Sequence, residues 1–256
     1  MFEVKEIGEF KYIDEGNGNP IVCLHGLMGG LGNFEKSIYQ LSKNYRVIIP
    51  ELPFYSLPIQ ESTVENLSEK FVDFLKLLLN EPVTLIGNSI GGHISLITTV
   101  NYPELVEALI LTGSSGLYEK SFGETFPKRG NYEYVEKKSR EVFYDPASAT
   151  KEVVDEVYET VNNKDKAIKI LYIARSAINH NMKNDLVHIK QPVCLIWGKQ
   201  DNVTPPEVAI ELNQLLQNST LHWIDKCGHA AMMEQPEIFN GLVEEWLSKL
   251  YNTANK

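Results

Sequence analysis

Several features that mark special classes of protein are scarce or missing in this chain. Cysteine is rare: Cys23, Cys194 and Cys227 are the only three among 256 residues. An odd count, with no close Cys pair and no Cys/His cluster, argues against a disulfide framework and a structural zinc site. Cys23 and Cys194 sit inside apolar runs and read as buried, reduced thiols. No apolar run approaches the roughly 18–20 residues that span a bilayer. The opening Met1-Phe2-Glu3-Val4-Lys5-Glu6 lacks both a basic stretch and a greasy one, so we expect no secretory signal, no membrane association and a cytoplasmic location. Internal repeats and low-complexity tracts are missing too. Positive charge is in deficit, 24 Lys+Arg against 34 Asp+Glu for a net charge of -10, which argues against a general nucleic-acid binder.

What remains is an ordinary globular composition, 43% apolar and 23% charged, long enough for one large core or two small ones. Short apolar runs alternate with longer amphipathic stretches. Ile21–Leu24, Val47–Ile49, Val83–Ile86, Leu109–Leu111 and Val193–Trp197 are continuously apolar and rich in Val and Ile, as parallel strands covered on both faces must be. Glu65 to Asn80 places Leu67, Phe71, Phe74 and Leu78 at helical spacing. Ile90–Asn101, Pro206–Gln217 and Pro236–Leu250 read as further helices, the last two opened by proline. Phe2 to Asp14 reads as an edge hairpin turning at Gly8.

This alternation predicts an α/β fold with a mostly parallel sheet. It breaks between Gly113 and Val193, where amphipathic patterns replace strands. From Leu117 to Asp185 the 12 basic and 12 acidic residues balance, leaving 12 basic against 22 acidic elsewhere. We read residues 117–185 as a helical insertion and residues 1–116 and 186–256 as the core domain. The insertion's aromatic residues, Phe122, Phe126, Tyr132, Tyr134, Phe143, Tyr144, Tyr158 and Tyr172, either line a mainly apolar pocket or dock the insertion on the core.

The residues that carry chemistry fall in loops after strands. Gly87-Asn88-Ser89-Ile90-Gly91-Gly92 links a strand to a helix, the context in which a serine on a tight turn presents its Oγ above the sheet. A serine hydroxyl needs a base and a group to orient that base. Of six histidines, His25, His93, His180, His188, His222 and His229, His229 alone occupies a glycine-flanked loop at a strand's carboxyl end, where ligands cluster in such sheets. Asp201 follows the strand Val193–Trp197 and is the candidate acid. Asp225 is its rival, only four residues before His229, while Gly113-Ser114-Ser115-Gly116 carries no carboxylate. The chain order Ser, Asp, His suits a proton-relay array. His25-Gly26-Leu27-Met28-Gly29-Gly30 supplies a flexible loop, and the amides of Leu27 and Ile90 are the expected oxyanion donors. His25, Gly26, Met28, Asn88, Val203 and Ala230 are candidate pocket residues.

These motifs, with W-G-K-Q-D-N-V-T-P and C-G-H followed by M-M-E-Q-P, resemble the α/β-hydrolase superfamily over the whole chain. The resemblance implies an eight-stranded, mostly parallel sheet flanked by helices, with a helical cap inserted after the sixth strand. It implies an acyl-enzyme mechanism, no metal, no organic cofactor, a small-molecule acyl substrate and a monomer or homodimer. Serine at position 89 is unlike haloalkane dehalogenases and epoxide hydrolases, which place aspartate there. Glu141 to Tyr158 is similar to the cap of meta-cleavage-product C–C hydrolases, but Val157 stands where their arginine is expected, and Ala230 where a tryptophan often follows C-G-H. Arg175 is a possible substitute for that arginine. Glu51-Leu52-Pro53-Phe54-Tyr55-Ser56 departs from the D-x-P-G-x-G-x-S loop of relatives, and we expect it to reshape a pocket wall. A carboxylic ester hydrolase is the leading expectation. The alternatives are a C–C bond hydrolase, a ligand-binding protein with a vestigial array, and an acyltransferase or aminopeptidase. The last would want a cap carboxylate such as Glu133, Glu136 or Glu141.

Overall fold

The computed structural model describes residues 2–118 and 129–254. Its elements run β1 (Lys5–Ile7), β2 (Phe10–Glu15), β3 (Pro20–Leu24), α1 (Glu35–Leu41), β4 (Arg46–Pro50), α2 (Val64–Leu78), β5 (Val83–Asn88), α3 (Ile90–Asn101), β6 (Val106–Thr112), α4 (Tyr132–Arg140), α5 (Lys151–Asn162), α6 (Lys164–Asn179), β7 (Val193–Gly198), α7 (Pro206–Leu215), β8 (Ser219–Ile224), α8 (Ala231–Glu234) and α9 (Pro236–Ala254). Phe122 and Phe126 lie outside the described residues. No helix among the described residues is long and apolar enough to cross a membrane.

The eight strands form one sheet in the order β1-β2-β4-β3-β5-β6-β7-β8. The hairpin turns at Gly8, whose φ is +57°, and it joins β4 antiparallel. All other pairs are parallel. Side chains alternate faces along a strand, and the two cores follow from this. Val22 and Leu24 of β3, with Leu85, Leu109 and Leu195, pack against Phe71 of α2, Ile94 of α3 and Val208 of α7. Ile21 and Cys23, with Ile86, Ile110 and Cys194, pack against Ile38 of α1 and Phe239 and Val243 of α9. That double coverage is why the inner strands read as uninterrupted apolar runs and why Cys23 and Cys194 are buried; Cys227, in the loop after β8, is buried too, and all three thiols are free.

Strand order reverses at β3, which has β4 on one side and β5 on the other. At such a point the loops leaving the carboxyl ends part to opposite faces and open a crevice. The loop after β3 and the turn after β5 therefore meet there.

Between β6 and β7 the described residues hold helices and no strand. Local capping starts each helix. Asn131, Thr150 and Asn163 side chains accept from the amides of Tyr134, Val153 and Lys166, satisfying donors a helix start leaves open. The two ends of this segment are tied together: Met182 N donates to Gly116 O at 2.8 Å, and Asn181 Nδ2 to Leu117 O at 2.7 Å. Helix α2 ends two residues before the expected Asn80, and α7 two before Gln217, while α9 extends past Leu250 to Ala254. Helix α1 is too short, at seven residues, for its periodicity to stand out in the sequence.

A part-buried histidine pair is among the polar contacts that link this segment to the core. His93, inside α3 and fully buried, places Nε2 3.0 Å from Nδ1 of His180, the residue that ends α6. Burial lowers the His93 pKa to about 3; the charge of His180 pushes it the same way, and a hydrogen bond to the His180 backbone opposes. The unfolded chain takes up this proton below about pH 6.5, while the folded chain resists until about pH 3. Stability contributed by neutral His93 is thus present above pH 6.5 and is lost as pH falls through that window. A series of thermal melts from pH 7 to pH 4 should show a falling Tm, and His93→Gln should flatten that slope.

Candidate active site

Ser89 sits between β5 and α3 with φ 56° and ψ -123°, a left-handed conformation that costs a non-glycine residue about 1–3 kcal/mol. Backbone hydrogen bonds hold it there. Ser89 N donates to Thr112 O, and Ser89 O accepts from the amides of Gly92, His93 and Ser115. The glycines around it are required by contact. A Cβ on Gly87 would lie 2.5 Å from Gly92 Cα, and one on Gly91 would lie 2.3 Å from Leu24 O. The helix can start this close to the strand only where both surfaces lack side chains. Ile90 opens α3, so its amide is the first that the helix leaves without an internal partner; its side chain turns into the core.

His229 lies between β8 and α8, and both faces of its loop are engaged. His229 N donates to Val142 O at 2.9 Å, and its carbonyl accepts from Asn88 Nδ2 at 3.1 Å. Asn88 also donates to Thr112 O, so the residue preceding Ser89 ties the serine turn to the histidine loop. Nδ1 of His229 is 2.9 Å from Asp201 Oδ2. The Asp201 side chain is completely buried. It accepts from Val203 N at 2.8 Å and Thr204 N at 3.0 Å on Oδ1, and from Thr204 Oγ1 at 2.9 Å on Oδ2. With the imidazole that makes four donors around one carboxylate, which is what a buried charge needs. An ionised carboxylate only accepts, so the Asp201 contact fixes the proton of neutral His229 on Nδ1 and leaves Nε2 as its basic nitrogen. The rival Asp225 is exposed and engages Gln200 and Lys199, away from the imidazole.

A cavity of about 280 Å³ opens over these groups, lined by Ser89, His229 and the predicted Gly26, Leu27, Met28, Asn88, Val203 and Ala230. Its remaining walls are largely apolar: Val135, Val142, Phe143, Val153, Val157 and Met233. Phe143 is the one aromatic residue of the insertion among the described lining residues. Tyr132 and Tyr158 instead meet edge to face, with ring centres 5.1 Å apart, and Tyr144 and Tyr172 are exposed. Arg175 is exposed on α6 and does not line the cavity.

Two expectations need correction. His25 does not reach the cavity. Its ring is buried, accepting from Leu52 N on Nε2 at 3.2 Å, with Nδ1 3.0 Å from Gly26 O and an edge-to-face contact with Phe54. Burial lowers its pKa to about 4, against the bond to Gly26, so it is a neutral strut between two loops. Residues 51–56 do not line the cavity either; Leu52 and Phe54 are buried in the hydrophobic core. Sequence reading overlooked two residues. Thr204, 3.2 Å from His229 Nδ1, braces the Asp201–His229 pair, and its place three residues after Asp201 was the available signal. Glu234 accepts from Gly228 N and from Asp145 N, both at 2.6 Å. It clamps the histidine loop to the segment carrying α4–α6, a link visible only in three dimensions.

Gly113 adopts φ +52°, and a Cβ there would lie 2.7 Å from both Nδ1 and O of His229. Gly113→Ala therefore combines backbone strain with a clash against the imidazole. We expect a loss of about 2 kcal/mol in urea unfolding, with displaced His229 ring resonances in NMR spectra of the folded variant.

Comparison with known proteins identifies the fold family. The alpha/beta hydrolase fold model matches residues 19–143 and 136–236. An uncharacterized hydrolase of Bacillus subtilis, YugF, is 26% identical over 89% of each chain. The 2-hydroxy-6-oxo-6-(2'-aminophenyl)hexa-2,4-dienoic acid hydrolase of Metapseudomonas resinovorans is 29% identical over 94% of this chain and 88% of its own. The crystal structure of MGS-MChE2, an alpha/beta hydrolase enzyme from the metagenome of lagoon sediments at Mar Chica, Morocco, superposes with a TM-score of 0.80 at 47% identity, covering 96% of this chain and 98% of that one. A strained serine turn at the strand-order reversal, a buried Asp–His pair and these matches lead to one conclusion: the chain belongs to the alpha/beta hydrolase fold family.

Proposed function

We propose that this hydrolase cleaves a carboxylic ester or related acyl substrate through an acyl-enzyme on Ser89. The observation that carries the reading is the Asp201–His229 contact, which sets the imidazole tautomer beside a strained serine in a mostly apolar cavity. Ser89 Oγ attacks the carbonyl carbon while His229 Nε2 accepts its proton. The same nitrogen returns that proton to the leaving alcohol as the tetrahedral intermediate collapses. Asp201 stabilises the imidazolium formed in between. The amides of Leu27 and Ile90 donate to the oxyanion, each worth about 3 kcal/mol of transition-state stabilisation. Water, activated by the same imidazole, releases the acid. The segment carrying α4 and α5 acts as a cap, its Val135, Val142, Phe143, Val153 and Val157 walling the cavity and excluding bulk water.

The second reading, C–C bond hydrolysis of a dienoate, draws support from relatives such as the Metapseudomonas resinovorans enzyme. Charge counts against it. A dienoate carboxylate needs a cation, yet the one cationic side chain among the described lining residues, Lys138, is paired with Glu141 at 2.6 Å. Val157 contributes an apolar wall where that resemblance leads one to expect arginine.

Ser89→Ala should abolish turnover of p-nitrophenyl acetate and butyrate, at least about 1000-fold, and should lose labelling by a fluorophosphonate probe. Unchanged turnover rejects the mechanism. Faster bleaching of a 2-hydroxy-6-oxodienoate chromophore than of any ester, measured side by side, would favour the C–C reading. Thr204→Val removes one donor from Asp201 and should lower kcat about tenfold and shift the acid limb of the pH–rate profile, with Thr204→Ser restoring both.

A further inference from the structure

The cavity's inner face on α5 is built by Val153, Glu156 and Val157, spaced one helical turn apart. Two of these are apolar. The third is a carboxylate facing the loop after β3, with Oε1 3.5 Å from the position a Cβ on Gly30 would take. No ion pair within 4 Å engages it among the described residues. The cavity's two other charged residues neutralise each other, since Lys138 and Glu141 are paired at 2.6 Å. The described lining therefore carries one uncompensated negative charge, on Glu156. Lys166, whose charge acts on it, directs Nζ over the Tyr55 ring at 4.9 Å. Glu156 is exposed at the cavity's rim, yet desolvation by its neighbours raises its pKa; Lys166 opposes that shift and Glu159 adds to it. The ionised form is thus under-compensated where it stands, and a cationic ligand would relieve it. Glu133 and Glu136 do not line this cavity, and Glu136 is paired with Arg140.

We propose that Glu156 is a specificity-determining residue that selects acyl substrates bearing a cationic group, such as an alkylammonium, over neutral and anionic ones. This inference rests on the ester-hydrolase reading above and adds to it the charge class of the substrate. The chain's net charge of -10 favours the same class at long range.

Two isosteric pairs test it: butyrylcholine against 3,3-dimethylbutyl butyrate, and p-nitrophenyl 4-(trimethylammonio)butanoate against p-nitrophenyl 5,5-dimethylhexanoate. The readout is the cationic-to-neutral ratio of kcat/KM, which cancels any general loss of activity in a variant. Glu156→Gln should lower that ratio about fivefold in at least one pair, and Glu156→Lys should lower it further and raise turnover of p-nitrophenyl hydrogen glutarate. Ratios equal to wild type in both pairs overturn the proposal. The same esters are titrated calorimetrically into the Ser89→Ala protein, so the preference is also read as a ratio of Kd. No turnover by wild type together with a Glu156-dependent Kd ratio sinks the ester reading and keeps the cation site. Equal Kd values for both members of each pair, or no binding of either, sink the cation site.

Discussion

The positive φ of Ser89 is the constraint on which the site depends. A serine does not hold that conformation unaided, and the surrounding backbone must supply what the residue itself opposes. Four main-chain hydrogen bonds do so, reaching β6, α3 and the turn at Ser115. These bonds exist only because α3 starts almost in contact with β3 and β5, and that approach requires glycine at positions 87 and 91. Strand order, helix start and side-chain size are therefore linked. Enlarging either glycine would push the helix away, open the bonds and let the turn relax. The energy stored at Ser89 is small beside the burial of the sheet, so the fold can sustain it.

The second link runs through the sheet's carboxyl edge. Asp201, Ser89 and His229 leave β7, β5 and β8 at the same end. Asn88 connects the serine turn to the carbonyl of His229. Asp201 fixes the imidazole, and Thr204 fixes Asp201. Glu234 and Val142 then tie the histidine loop to the segment that walls the cavity. The Asp201–His229 geometry and the cavity's shape are thereby coupled. A change in how α4 docks is felt at residue 229 through a main-chain bond rather than through solvent.

The cavity's character follows from which side chains each helix turns inward. Helix α5 offers valines and one carboxylate, and α4 offers Val135 and a self-neutralised Lys138–Glu141 pair. Apolar walls accept an acyl chain by excluding water. The one charge left over sets what else such a chain can carry. Among the described residues, the insertion aromatics Tyr132 and Tyr158 pack on each other and Tyr144 and Tyr172 face solvent, leaving Phe143 in the cavity wall.

The sequence alone determined the order of elements, the parallel core and the loops that carry Ser89, Asp201 and His229. Those follow from local rules: apolar runs where both faces of a strand are covered, proline at helix starts, glycine where backbones touch. Which residues face one another was decided only by tertiary structure. His25 lies in the same glycine-rich loop as Leu27, yet it turns inward as a strut because Leu52 N and Phe54 meet it there. Thr204 and Glu234 act across 25 residues and 89 residues of chain respectively. Glu156 was one acidic residue among 12 in a charge-balanced segment. Pairing depends on distances across the folded molecule, and the identity of a residue fixes its chemistry but not its neighbours.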